Sequence, residues 1–356
     1  MKRLAILFGV VLATLGGYTV YGLSQQATAP TTIQAAAQTA ADAQTQKVVQ
    51  AANAFLATLS AAQRTAVGFA WTDAAQRVRW SNLPTGLFQR AGLKWGDLTA
   101  AQRTALTALL GAVLSPDGLK MVQQQMASDD VLKATDGGGR LVFGSDEYFV
   151  AFVGVPSATA PWTLQFGGHH LAINATVAGS NITLAPSLTG GQPIRTTQNG
   201  QTVTVVEKVP QEVSDALALL NSLDAAQKAK VVLGSRNIDL VLGPGQDGKK
   251  LQAEGLPGSA MTAAQKTRLL ELIKARLGIL NADDLAAKMT DIEKNLDQTY
   301  FAWYGPTTSG SAFYYRVTGP TVVIEFSPQS MGGDATNHLH NMYRDPTNDY
   351  GAAWAK

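Results

Sequence analysis

The 356-residue chain contains no cysteine, which removes disulfides, zinc thiolates, iron–sulfur clusters and thiol nucleophiles from the chemistry open to it. Charge is sparse as well: 15% of residues are charged and the formal net charge is +2. Without a long Lys/Arg run there is no broad positive field to attract a phosphate backbone, so nucleic acid is not an expected partner. No serine sits in a nucleophile elbow; "GPGQDG" and "LGSRN" do not match that pattern. Histidine is rare, with four residues in the whole chain. Site chemistry must therefore come from imidazole, carboxylate, amide and hydroxyl groups.

Hydrophobic residues make up 46% of the chain, enough to exclude disorder of the whole and to fill one large core or two smaller ones. Lys2 and Arg3 precede an apolar stretch from Leu4 to about Leu23, followed by the small-residue pattern Ala27-Thr28-Ala29. Residues 1–29 therefore read as a signal peptide or N-terminal anchor, with cleavage favoured because Gly16, Gly17, Tyr18 and Thr19 interrupt the apolar run. The expected location is exported: periplasmic, extracellular or anchored on the outer side, with membrane contact only through an uncleaved N-terminal segment. Residues 30–46, rich in Ala, Gln and Thr, read as a low-complexity tether. Residues 47–356 are predicted to form one globular domain.

That domain carries one signature four times: Ser60 with Gln63, Thr99 with Gln102, Asp224 with Gln227, and Thr262 with Gln265. Each is a capping box, in which the first side chain accepts a first-turn amide and the glutamine reaches back to the cap's own N–H. Helical stripes follow, among them Leu106, Leu109, Leu110 and Val113, and Leu269, Leu272, Ile273 and Leu277. "SPDG" (115–118) and "LGILNADD" (277–284) are expected to stop these helices. The two boxes of the first half lie 39 residues apart and those of the second 38. Aromatic strands "YFVAFVG" (148–154) and "TYFAWYG" (299–305) then share an offset of 151 residues with the hairpin-like stretches 162–175 and 313–326. Composition alone makes Ala/Gln-rich helices resemble one another, but it does not match order, spacing and offset together. The predicted fold is α+β and internally duplicated: halves of about 47–205 and 206–356, each a helix pair followed by antiparallel strands, packed around a pseudo-two-fold axis.

The histidines fall in two groups, His169-His170 in "FGGHHLAIN" and His338-Leu339-His340 in "NHLHNMYRDPTNDYG". Neighbours on a strand face opposite ways, so His169 and His170 are not expected to share an ion, whereas His338 and His340 point the same way. The candidate metal site is His338, His340 and one of the first pair, with His170 assigned to the ion and His169 to the surrounding shell or to substrate. Neutral imidazoles with one carboxylate suit Zn²⁺, Fe²⁺, Mn²⁺ or Cu²⁺. Candidate carboxylates are Glu325, which interrupts the apolar run "TVVIEFS", then Asp334, Asp345 and Asp349. Arg344 is expected either to clamp an anionic substrate or to pair with Asp345 or Asp349. Glu325, Asp345 and Arg344 are the candidate catalytic groups. "VLGPGQDGKKL" (241–251) is predicted to be a hairpin, and "RVRWSNLPTGLFQRAGLKWGDL" (77–98) reads as aromatic packing over the helices or as a substrate-lining loop.

"RVRWSNLP", "GLKWGDLTAAQR", "FVGVPSATAPWTLQFGGHHLAIN" and "NHLHNMYRDPTNDYG" together resemble the domain of unknown function 3500 family of exported bacterial proteins. The resemblance covers nearly the whole chain after the signal. It implies a single domain carrying these histidines and brings no assigned reaction with it. On the residues themselves, a divalent metal would polarise a water or a substrate carbonyl, and hydrolysis is the expected chemistry. A metal-dependent oxidoreductase uses the same ligands, and a non-catalytic module binding a small molecule or peptide is the alternative from another class.

Overall fold

The computed structural model describes residues 41–137 and 139–354; the expected signal segment 1–29 and most of the expected tether lie outside them. Helix α1 (Ala43–Ala57) begins within the last residues of that tether, because Asp42 accepts the Thr45 N–H and caps it. The first part of the chain continues with α2 (Ala61–Val67), β1 (Gly68–Phe69), α3 (Ala74–Arg77), β2 (Leu93–Lys94), α4 (Ala100–Val113) and α5 (Pro116–Asp136). Strands β3 (Phe149–Val153), β4 (Trp162–Gly168), β5 (Leu171–Ala178), β6 (Asn181–Thr183) and β7 (Ser187–Gly191) follow. A separate hairpin of β8 (Arg195–Gln198) and β9 (Gln201–Thr204) leads into α6 (Lys208–Asn221), α7 (Ala225–Val231), β10 (Val232–Gly234) and β11 (Leu256–Pro257). The chain closes with α8 (Ala263–Leu277), α9 (Ala282–Lys294), β12 (Tyr300–Tyr304), β13 (Tyr314–Thr318), β14 (Val323–Pro328) and β15 (Leu339–Arg344).

All four capping boxes form, at α2, α4, α7 and α8. They are also tied in pairs. Gln102 Nε2 donates to Gln63 Oε1 at 3.0 Å and to the Thr58 carbonyl at 3.1 Å. Gln265 Nε2 donates to Gln227 Oε1 at 2.8 Å and to the Ser222 carbonyl at 2.9 Å. The glutamine that satisfies its own helix start thus also fixes the helix before it. "SPDG" stops α4 as expected and at once starts α5, since Ser115 caps the Gly118 N–H and Pro116 occupies the first turn, where its missing N–H costs nothing. The two predicted stops meet each other: Ser115 N donates to the Ile279 carbonyl at 2.9 Å and Ser115 Oγ to Gly278 O at 2.6 Å.

The fold is a mixed α+β arrangement on one large sheet. Along its main path the strands run β1-β3-β4-β5-β7-β15-β14-β13-β12-β10, with β2, β6 and β11 attached at the side. β1 lies parallel to β3 and β10 parallel to β12; the central pairings, including β7 with β15, are antiparallel. Strand alternation gives the sheet two unlike faces. One face presents Leu164, Phe166, Ile173, Tyr315, Ile324 and Phe326, packed against Phe55, Leu106, Leu269 and Ile273 of the helices.

The opposite face is polar yet buried: Thr163, Gln165, Asn174, Thr176, Arg316, Glu325, Ser327, His340 and Arg344 lie on it at 8% exposure or less. Buried polar groups need partners, and two irregular segments supply them. From residues 70–92, Gln76 Nε2 donates to Gln165 Oε1 at 2.9 Å, while Trp80 packs on Ala172, Leu188 and Met342. From residues 235–255, the Ile238 carbonyl accepts Ser327 Oγ–H at 2.9 Å. Residues 241–251 are therefore not the predicted hairpin. The N–H groups of Val241 and Leu242 go to Glu325 and the carbonyls of Leu242 and Gly243 to Arg344, and the residues beyond form turns closed by Gln246 N–H to Gly243 O and Lys249 N–H to Gln246 O rather than a strand ladder. The segment 77–98 divides: Trp95 packs edge-on against Phe166 on the helix side, and Trp80 covers the polar face.

The paired boxes carry a stability prediction. Gln265→Ala removes the bonds to Thr262 N–H, Ser222 O and Gln227, and is expected to lower the unfolding free energy by about 1–3 kcal/mol in urea titration. A change below about 0.5 kcal/mol, typical of an idle surface site, would show that the tie contributes nothing.

Candidate metal centre

The turn joining β4 to β5 is His169-His170, placed by Gly167 and Gly168. His170 has φ +61, a left-handed conformation usually given to glycine or asparagine at a cost of about 1 kcal/mol or more for other residues. Its neighbours hold it there. The Asn82 carbonyl accepts the His170 N–H at 3.1 Å, Tyr148 Oη–H donates to the His169 carbonyl at 2.8 Å, and Arg90 donates to Gly168 O at 2.8 Å. Burial draws Arg90 down to about 10, still a cation at neutral pH, and it also serves the carbonyls of Ser81 and Leu83. Gly168 is required by space, since a Cβ would stand 2.7 Å from the Tyr148 ring. Because the histidines form the turn rather than a strand, they do not face opposite ways as predicted; their rings lie 3.6 Å apart between centroids.

The other pair enters through β15. His340 lies opposite Ser327 of β14 and Gly190 of β7. Leu339 points into the helix-side core, so alternation sends His338 and His340 to the polar face, as the HxH spacing predicts. Between them the chain crosses Gly190, where a Cβ would come within 2.0 Å of the Leu339 carbonyl.

Here the two groups converge. One nitrogen from each of His170, His338 and His340 lies within 4.8 Å of the others, and all three residues are buried. His170 Nε2 stands 2.9 Å from His338 Nε2, and ring centroids are 4.7 Å (170–338), 5.1 Å (170–340) and 5.1 Å (338–340) apart. Tetrahedral sharing of an ion at 2.0–2.1 Å places nitrogens roughly 3.3 Å apart, so small side-chain adjustments suffice. His338 Nδ1 lies 2.7 Å from the Met331 carbonyl; a carbonyl only accepts, so that nitrogen carries the proton and Nε2 offers its lone pair. Asn82 Nδ2 approaches the His340 ring at 3.2 Å, so one asparagine touches both arms of the centre. Burial, reinforced by the neighbouring imidazoles, pushes His170 and His340 well below the usual histidine value; burial also lowers His338. Neutral rings are the form that binds a cation.

His169 stays outside the trio. Its Nδ1 meets Asp129 Oδ1 at 2.7 Å, while Asp129 Oδ2 accepts the Gly144 N–H at 2.8 Å. The predicted carboxylates are placed elsewhere, and none joins the imidazole group among the described residues. Glu325 accepts Val241 N–H, Leu242 N–H and Tyr314 Oη–H, each at 2.7 Å, which spends both oxygens. Asp345 pairs with Lys288 at 2.6 Å and caps Thr347. Arg344 pairs with Asp349 at 2.7 Å and Asp247 at 3.0 Å and lies 5.9 Å from the Trp80 ring, which anchors the last turn rather than exposing an anion clamp. Asp334 caps its own turn and faces Arg195. The carboxylates that line the cavity beside the imidazoles are Asp136 and Asp239. Sequence reasoning missed Asn82, Asp129 and Asp239; of these, Asp129 left a signal, an acid on the buried stripe Met121, Gln125, Met126, Leu132 of α5.

The three imidazoles stand in the wall of a cavity of about 950 Å³ bounded by residues 78–88, 239–246 and 329–332. The class of protein is thus an α+β domain with a buried three-histidine group opening on a ligand-sized cavity. A family model described as "Protein of unknown function (DUF3500)" matches residues 41–352, and the chain belongs to that family. No curated protein and no solved structure matches it.

The placement of Glu325 makes a prediction. Glu325→Gln gives up one of two acceptors facing three donors, and is expected to cost about 1–3 kcal/mol in denaturant unfolding while the folded variant keeps wild-type metal stoichiometry by elemental analysis. Loss of metal in a fully folded variant would return Glu325 to the site.

Proposed function

We propose that the protein is an exported metalloprotein in which His170, His338 and His340 hold one divalent ion, Zn²⁺, Fe²⁺, Mn²⁺ or Cu²⁺, with an open position toward the cavity. The observation that carries this reading is the meeting of three buried, neutral imidazoles from chain positions 168 residues apart at a cavity wall. Carbonyl hydrogen bonding of His338 supplies the outer support that a metal-ligating histidine needs. The chemistry such an ion supplies is polarisation of a water or a substrate carbonyl, and hydrolysis is the reaction class we favour. His169, braced by Asp129, lies against His170 at the same cavity. A second reading, metal-dependent binding without turnover, is favoured by the absence of Glu325 and Asp345 from the imidazole group. Export rests on the basic start and apolar stretch of residues 2–23.

We further propose that the domain arose by duplication about a pseudo-two-fold axis. Support comes from the mirrored strand order around β7 and β15, from the parallel pairs β1–β3 and β10–β12, and from the two glutamine ties. Superposing α1–β5 on α6–β14 tests it; helices falling on opposite sides of the superposed strands would contradict it.

Protein purified without an affinity tag and equilibrated with each of the four ions is expected to retain one equivalent by elemental analysis, and to unfold at higher temperature than the metal-free form. The double change His338→Ala and His340→Ala should abolish both effects. Wild-type protein that takes up none of the four near stoichiometry would defeat the reading.

A further inference from the structure

The cavity beside the histidines is unlike the rest of the surface. Eight large apolar side chains stand exposed among the described residues, and four of them, Val78, Leu83, Leu87 and Met331, border this one cavity. Leu83 and Leu87 are 44% and 52% exposed and Met331 is 78% exposed. Phe88 and Phe143 line it further, beside the histidines themselves. Clustered apolar exposure around a concavity marks a binding site, whereas scattered exposed leucines do not. The volume, about 950 Å³, lies at the upper end of the roughly 300–1,000 Å³ range of small-molecule sites.

Polar groups line the cavity as well: Asn82 and the histidines, with Asp136, Arg140, Asp239 and Gln329 elsewhere in its wall. Leu83, Leu87 and Met331 are supplied by the covering loops. Asn82 and Leu83 are adjacent, so one loop presents an amide to the imidazoles and an alkyl group to the cavity.

We propose that this cavity binds an apolar acyl or aryl group that carries an oxygen donor, such as a carboxylate, ester or amide, its apolar part among Leu83, Leu87, Phe88 and Met331 and its oxygen toward the three imidazoles. The oxygen contact rests on the metal reading of the site; the apolar contact does not.

The test uses the full chain and has two arms. In the first, metal-free protein is titrated with the neutral fluorescent dye N-phenyl-1-naphthylamine, which is expected to bind at one site. The double change Leu83→Asp and Leu87→Asp, at two exposed positions, should weaken binding at least about tenfold, a polar end in place of buried alkyl area, while Val155→Asp, an exposed apolar position away from the cavity, should leave it unchanged. No dye binding, or equal binding by the double variant, overturns the apolar assignment. In the second arm, Zn²⁺-loaded protein is expected to release the dye to octanohydroxamate at a concentration at least about tenfold lower than to acetohydroxamate, about six further buried carbons being far more than this requires. Equal potency in protein that has bound zinc overturns the arrangement. Should zinc not bind, the second arm is run with whichever of Fe²⁺, Mn²⁺ or Cu²⁺ the protein retains; failure to retain any of the four defeats the metal reading and with it the oxygen contact, and the first arm still decides the apolar one.

Discussion

The seam between β7 and β15 is the constraint on which the rest depends. It is an antiparallel pairing from Leu339 opposite Gly191 to Tyr343 opposite Ser187, and it joins the strands β1–β7 to the strands β10–β15 in one sheet. Backbone hydrogen bonds fix its register, and a slip of one residue would send His340 to the helix side and Leu339 to the polar face. Gly190 lets the strands approach where a side chain would collide with the Leu339 carbonyl. Arg276, buried under the seam on the helix side, donates to Ser187 and to the Asn341 carbonyl and so grips both strands. His338 and His340 reach His170 because of this pairing.

A polar sheet face buried under loops is the second consequence. Sequestering Gln165, Asn174, Arg316 and Glu325 from water would be costly if they lacked partners, so the covering segments are bound to specific atoms. Those same segments carry Asn82, Asp239 and the leucines of the cavity. The region covering the site is thus held by the sheet it covers: Arg90 by the Gly168 carbonyl, and residues 241–243 by Glu325 and Arg344. Two of the groups that sequence reasoning took for catalytic, Glu325 and Arg344, serve as these anchors, while Asp345 pairs with Lys288 of α9. Pairs of charges inside a protein perturb and attract the eye in the same way whether they fix a loop or act on a substrate.

Much of the fold could be read from the sequence because it is encoded locally. A capping box is four residues long, a helical stripe spans three turns, and an aromatic strand ends in its own glycine; each was found where it was expected. The irregular segments were not legible. Whether 241–251 forms a hairpin depends on Glu325, more than seventy residues away in sequence, and no local pattern announces that. For the site, the HxH spacing gave the shared direction of His338 and His340 through strand alternation alone. The same rule misjudged His169 and His170, because Gly167-Gly168 with Tyr148, Arg90 and Asn82 turns the chain there. Asn82 had no signature, since a single amide in "WSNLP" reads as loop chemistry until the fold brings it against two histidines.

The account's central claim is that three imidazoles share one ion, and anomalous scattering tests it most directly. Crystals of the protein equilibrated with Zn²⁺ and measured at the zinc edge should give a strong peak about 2.0–2.1 Å from one nitrogen each of His170, His338 and His340. A map in which zinc is confined to other groups, such as the carboxylates near Asp284 and Asp345, with His170 still joined to His338 by a direct hydrogen bond, would contradict it.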